Sequence, residues 1–165
     1  MRERIRRVLV LVVLAGTAAA PRSASAGDEK AVAGSYRLVK RVAADHSELT
    51  GPAVVGFMTF TKTHRTVIMK WNGPGGEPVS ISYIATYTLA NEKYCESAVY
   101  GVNSNLGAPG IIYDEPAAAP ACTAAMRDAS GLAFDVPNEQ LRLRVTRDGI
   151  IATTPRWTDH WERVK

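Results

Sequence analysis

The sequence predicts an all-β chain, a sandwich or barrel of about eight to nine strands with one long loop, preceded by a signal peptide. Three observations carry this. Apolar and polar residues alternate with period two in several stretches. Turn-forming residues separate those stretches: Gly51-Pro52, Lys62-Thr63-His64, Asn72-Gly73-Pro74-Gly75-Gly76, Asn91-Glu92-Lys93 and Asp148-Gly149. No segment keeps helical period over a useful length, and no segment repeats another.

In chain order, the first element is the leader. Arg2 to Arg7 form a basic region, Val8 to Leu14 an apolar run continued by small residues to Ala20, and Ala24-Ser25-Ala26 offers an A-x-A cleavage site. The apolar run of about 13 residues falls short of the roughly 20 that span a bilayer. Cleavage after Ala26 would divide the chain into a signal peptide, 1–26, and a β-barrel or sandwich domain, 27–165.

The strands follow. Tyr36 and Leu38 alternate with Arg37 in the first. Residues Ala53 to Thr61 are apolar on both faces, so both faces should be covered. Arg65 to Trp71 places Val67, Met69 and Trp71 on one side. From Val79 to Leu89 the odd positions are Val79, Ile81, Tyr83, Ala85, Tyr87 and Leu89, and only Ile84 breaks the alternation. Asn103 to Arg127, rich in Gly, Ala and Pro, reads as a long loop with a short helix from Ala121 to Asp128. Gln140 to Thr146 buries Leu141, Leu143 and Val145 and exposes Arg142 and Arg144. Arg147-Asp148-Gly149 suits a type I′ hairpin turn, Ile150 to Thr154 returns, and Trp157 to Lys165 closes the chain.

Charge argues against two classes of partner. The chain has 20 Lys+Arg, 16 Asp+Glu and a formal charge of +4. Arg2, Arg4, Arg6, Arg7, Arg22 and the single acid Glu3 lie in the first 26 positions, so 27–165 carries equal numbers of each sign. A neutral domain with interspersed charges is no nucleic-acid binder and, once the leader is removed, no membrane binder. Its expected location is secreted or periplasmic. In such a compartment the two cysteines, Cys95 and Cys122, are expected to form a structural disulfide.

Short motifs occur in a telling order: Gly34-Ser35-Tyr36-Arg37-Leu38-Val39, Gly56-Phe57-Met58-Thr59-Phe60, Ala85-Thr86-Tyr87 and a terminal Trp161-Glu162-Arg163-Val164. Over about residues 31–165 this resembles a bacterial secreted lipocalin-like domain, a calycin-type β-barrel. Tyr36 stands where lipocalins usually carry Trp. The resemblance implies an up-and-down antiparallel barrel, in which about eight strands leave room for side chains or one small ligand. It also implies a structural contact between Tyr36 and Arg163, the guanidinium lying over the ring or on the hydroxyl, with Trp161 beside them. The expected lining comes from the buried face of each strand: Leu38, Phe57, Val67, Met69, Trp71, Ile81, Tyr83, Tyr87, Tyr100 and Leu143.

Six Tyr against three Phe is a surplus of polar-tipped aromatics, and each buried hydroxyl needs a partner. Tyr83 and Tyr87, two apart on one face, are expected to share a pocket and orient a ligand. No nucleophile elbow, phosphate loop or His-Glu-x-x-His motif occurs, and His46, His64 and His160 lack metal spacing, so no catalytic residue, metal or cofactor is expected. Glu96 is the conditional exception. Facing inward with Tyr94 and Tyr100, it would be an acid of raised pKa and a general acid or base; facing outward it is solvated. The leading functional expectation is an exported lipocalin-like barrel that binds a small apolar or amphipathic molecule, through Val67, Met69, Trp71, Ile81, Tyr83, Tyr87 and Tyr100. The alternatives are an isomerase- or cyclase-type barrel enzyme using Glu96 or a Tyr, and a filled barrel that binds another protein.

Overall fold

The structure is a computed structural model that describes residues 22–23, 28–73, 75–114 and 119–165. The leader expected for residues 1–26 lies outside the described residues, apart from Arg22–Ser23. The described elements are β1 (Arg22–Ser23), α1 (Asp28–Val32), β2 (Gly34–Ala43), β3 (Glu48–Thr50), β4 (Val54–Phe60), β5 (His64–Asn72) and β6 (Pro78–Ala90). They continue with β7 (Lys93–Ser104), β8 (Ile111–Asp114), β9 (Ala121–Asp128), β10 (Gly131–Asp135), β11 (Arg142–Val145), β12 (Gly149–Thr153) and β13 (Trp157–Arg163).

Ten of these strands close a ring. The order β2-β4-β5-β6-β7-β9-β10-β11-β12-β13 is antiparallel throughout, and β13 returns to β2. Ring neighbours are successive along the chain, so this is an up-and-down barrel. Closure leaves the ring strands few unpaired edges. The short strands β1, β3 and β8 add to β9, β2 and β7 from outside the ring order.

The ring is larger than the eight or nine strands expected, because the segment 121–128 is a strand and not a helix. Its sequence, Ala-Cys-Thr-Ala-Ala-Met-Arg-Asp, has no apolar alternation, and Ala favours helices. Pairing overrides that preference: β9 meets β7 through Cys95↔Cys122 and β10 through Ala125↔Phe134. The expected long loop therefore shrinks to the connections around β8, of which residues 115–118 lie outside the described residues.

Two bulges change which side chains enter the barrel. In β2 the pairing with β13 slips between His160 and Trp161, leaving Val39 unpaired; Tyr36 and Leu38 point in, and so does Arg41. In β7 the pairing with β6 slips between Ile84 and Ala85, leaving Val99 unpaired. Tyr94 and Glu96 point in, whereas Tyr100 is turned out and is 45% exposed. Ile84, opposite Tyr100, is outward as well.

A barrel of one sheet has one dry face, so the strand expected to be covered on both sides is not. In β4, Val54, Met58 and Phe60 are buried, while Val55 and Phe57 are exposed. Phe57, expected in the lining, lies outside it.

One end of the barrel is plugged. Rings of Tyr36, Phe60, Tyr87, Tyr94 and Phe134 contact one another in sequence, with centroids 4.2–6.4 Å apart. Helix α1 lies there, and Tyr36 donates its hydroxyl to the Val32 carbonyl at 2.7 Å. Arg163 lies over the Tyr36 ring at 4.8 Å and donates to the carbonyls of Ala33 and Ala31. The expected Tyr36–Arg163 contact is thus on the ring face. It ties the last strand to the first and to the helix.

The 146–149 hairpin forms, but not with the expected type I′ geometry, since neither Asp148 nor Gly149 has positive φ. Gly149 answers a different need. A Cβ there would lie 1.9 Å from the Trp161 carbonyl oxygen, which is backbone and cannot rotate away. Gly149→Ala is expected to cost about 1–3 kcal/mol through overpacking. A urea titration that left stability unchanged would refute this role.

Candidate functional site

Above the plug the barrel holds a cavity of about 640 Å³. Its walls are apolar at mid-height: Met58, Val67, Met69, Ile81, Ala152 and Trp161. Its mouth is formed by Pro137–Leu141, by Thr154–Trp157 and by Asn103, Leu106 and Asp114. Strand parity explains the walls. Val67 and Met69 share the inner face of β5, and Ile81 and Tyr83 that of β6.

The polar groups form two ion-pair systems. At the floor Arg65, 2% exposed, lies on the same face of β5 as Val67 and Met69. It donates to both oxygens of Glu96, Nε to Oε2 at 2.8 Å and Nη2 to Oε1 at 2.7 Å. Tyr83 donates to Oε1 at 2.9 Å, and Tyr94 donates to Oε2. Glu96 therefore receives four hydrogen bonds. Burial alone would push its carboxyl up, but Arg65 and the hydroxyls of Tyr94 and Tyr83 hold it below the usual carboxylate range. Burial, together with the Glu96 charge, raises the Tyr83 and Tyr94 hydroxyls, so both stay protonated donors. Arg65 also lies over the Tyr83 ring at 4.9 Å and reaches Glu139 Oε1 at 3.3 Å.

Near the mouth Arg41 donates to both oxygens of Asp159, at 2.7 and 2.8 Å. Its guanidinium is held between the Trp71 and Trp157 rings, 4.6 and 4.2 Å from their centroids. Burial raises the Asp159 carboxyl against the pull of Arg41. The contrast with Glu96 has a plain cause. Glu96 gains two tyrosine hydroxyls in addition to its arginine, and among the described residues the partner of Asp159 is Arg41 alone.

The sequence-predicted residues divide among three places. Val67, Met69, Ile81 and Tyr83 line the cavity. Trp71 stacks on Arg41 and Tyr87 belongs to the plug. Tyr100 lies outside the barrel. Leu38 and Leu143 are buried in the core but, like Trp71 and Tyr87, are not among the lining side chains. Tyr83 and Tyr87 do not share a pocket: Tyr87 donates to the Thr61 carbonyl at 2.7 Å, and burial pushes its hydroxyl up to about 12.

The tyrosine surplus thus has an internal explanation. Tyr36, Tyr83, Tyr87 and Tyr94 all donate to groups of the protein, and Tyr100 and Tyr113 are exposed. Glu96 does face inward, with Tyr94 but without Tyr100. It is an ionised, fully engaged carboxylate, and the raised pKa that a general acid needs is absent.

Arg65, Glu139, Trp157, Arg41 and Asp159 went unrecognised as site residues in the sequence. A signal existed for Arg65, which has the parity of Val67 and Met69. None existed for Arg41, because the bulge at Val39 resets the parity.

Cys95 and Cys122 form a disulfide on the outer face, with Cα atoms 4.0 Å apart. Among the described residues no helix is long and apolar enough to cross a membrane, and no group of three or more His, Cys, Asp or Glu could hold a metal ion.

Fold and site together define a closed antiparallel β-barrel protein with a plugged end and an internal cavity, an architecture compatible with the calycins. No family model, curated protein or solved structure matches the chain.

Proposed function

We propose that the chain is an exported lipocalin-like barrel that takes a small, largely apolar molecule into its cavity. The observation that carries this is the cavity itself. About 640 Å³ lies within the size range of small-molecule sites, and the mid-height walls are apolar, with polar and charged side chains at the floor and the mouth. The plug closes one end, and the segments 137–141 and 154–157 line the cavity away from it. Val67, Met69 and Ile81 supply apolar area and Tyr83 a polarised aromatic wall. The disulfide and the leader sequence support export; cleavage after Ala26 would remove β1 with the leader.

Native mass spectrometry of protein purified without detergent from cells that export it tests the reading. We expect a bound small molecule that organic extraction removes, and its loss in Val67→Trp, which fills the cavity. The intact mass of the same sample reports whether the chain starts at Gly27. A bare protein that also fails to take up neutral amphiphiles would overturn the proposal.

A further inference from the structure

The charges around the cavity restrict the head group of such a ligand. An anionic head group is normally held by a guanidinium or ammonium donor. Both interior guanidiniums are already spent on carboxylates. Arg65 makes a two-bond contact with Glu96 and a third bond to Glu139; Arg41 makes a two-bond contact with Asp159 and is covered on its faces by two Trp rings. Among the described residues, the lining cation besides Arg65 is Arg156, exposed at the mouth, where solvent screens it.

Negative charge is in excess. One guanidinium serves both Glu96 and Glu139, and the Glu139 side chain is 40% exposed at the cavity. Asp114 lines the same mouth.

Two buried polar atoms point independently to a ligand. Trp161 Nε1 and Asn103 Oδ1 have no hydrogen-bond partner among the described residues, and both residues line the cavity. Trp161 is 3% exposed. A buried polar atom without a partner is costly. The indole N–H requires an acceptor, and the amide oxygen requires a donor.

We propose that the cavity takes a protonated amine carried on an apolar body with a carbonyl or hydroxyl oxygen. The ammonium meets Glu139, the oxygen accepts from Trp161 Nε1, and the apolar body lies against Val67, Met69 and Ile81. This rests on the reading of the cavity as a small-molecule site. It adds that fatty-acid-like anions are disfavoured.

Three probes with a common body separate the two claims: N-lauroyl ethylenediamine, N-lauroyl ethanolamine and N-lauroyl glycine. They carry an ammonium, a hydroxyl and a carboxylate on the same amide. Each is titrated below its micelle concentration, with tryptophan fluorescence and calorimetry as readouts. The ammonium probe is expected to bind about tenfold more tightly than the carboxylate probe, with the hydroxyl probe between them. In Glu139→Gln with Asp114→Asn, the ratio of ammonium to hydroxyl affinity is expected to fall towards one. Equal or tighter binding of the carboxylate probe overturns the amine assignment, as does a preference that survives both substitutions. Binding of none of the three overturns the small-molecule reading itself.

Discussion

Arg65→Met, with Glu96 retained, is expected to cost about 3–5 kcal/mol of folding stability, because it strands a carboxylate inside the barrel. The interaction is close to fully buried, at 2% and 3% side-chain exposure, so solvent does little to screen the loss. Urea denaturation at neutral pH measures it. Adding Glu96→Gln should recover most of the loss. The charge is then gone, and the amide oxygen still accepts from Tyr83 or Tyr94. If the single variant proved as stable as the parent, Glu96 would not depend on Arg65.

The same variant should invert the pH dependence. In the parent the folded carboxyl of Glu96 is held below its unfolded value. Its contribution is therefore fully present above the unfolded pKa and is lost as pH falls through the folded one. Without Arg65, burial dominates and the folded pKa rises above the unfolded value. The penalty is then largest at neutral pH and is relieved as acid protonates the group. Acidification should narrow the gap between variant and parent.

Removing both cysteines, Cys95→Ser with Cys122→Ser, is expected to cost about 3.5 kcal/mol in the chain-entropy model. The bond spans 27 residues along the chain and staples β7 to β9 at directly opposed positions. Between successive ring strands this is the longest connection, since β8 and its flanking segments intervene. The paired positions next to the bond include Glu96↔Ala121, so the seam also supports the strand that carries the Glu96 carboxylate. Hydrogen exchange should therefore quicken first in β7 and β9. Unchanged exchange in β7 and β9, with no loss of stability, would show that the staple is dispensable.

How much was legible differs sharply between fold and site. The alternation from Val79 to Leu89 survives intact as the inner face of β6, and Gln140–Thr146 buries Leu143 and Val145 and exposes Arg142 as read. Those stretches have one wet and one dry face, which is what period two encodes. β9 was not legible, because Ala, Thr and Cys are small on both faces and carry no contrast. The cavity lining was legible only where parity persisted. Val67, Met69, Ile81 and Tyr83 were found, and Tyr100 was misplaced by a single extra residue at Val99.

The sequence by itself determined that this chain is built almost wholly of strands with one dry face; the closed ring and the Tyr36–Arg163 contact were implied only by the resemblance to lipocalin-like domains. Local alternation and turn residues suffice for the strands, because each carries its own record of which face is dry. Only the tertiary structure decided which charges go inside. Arg65 with Glu96, and Arg41 with Asp159, meet across neighbouring strands at positions set by pairing register and by a bulge. A buried charge is tolerable only when its partner stands opposite, and that is a property of the closed ring rather than of any one strand.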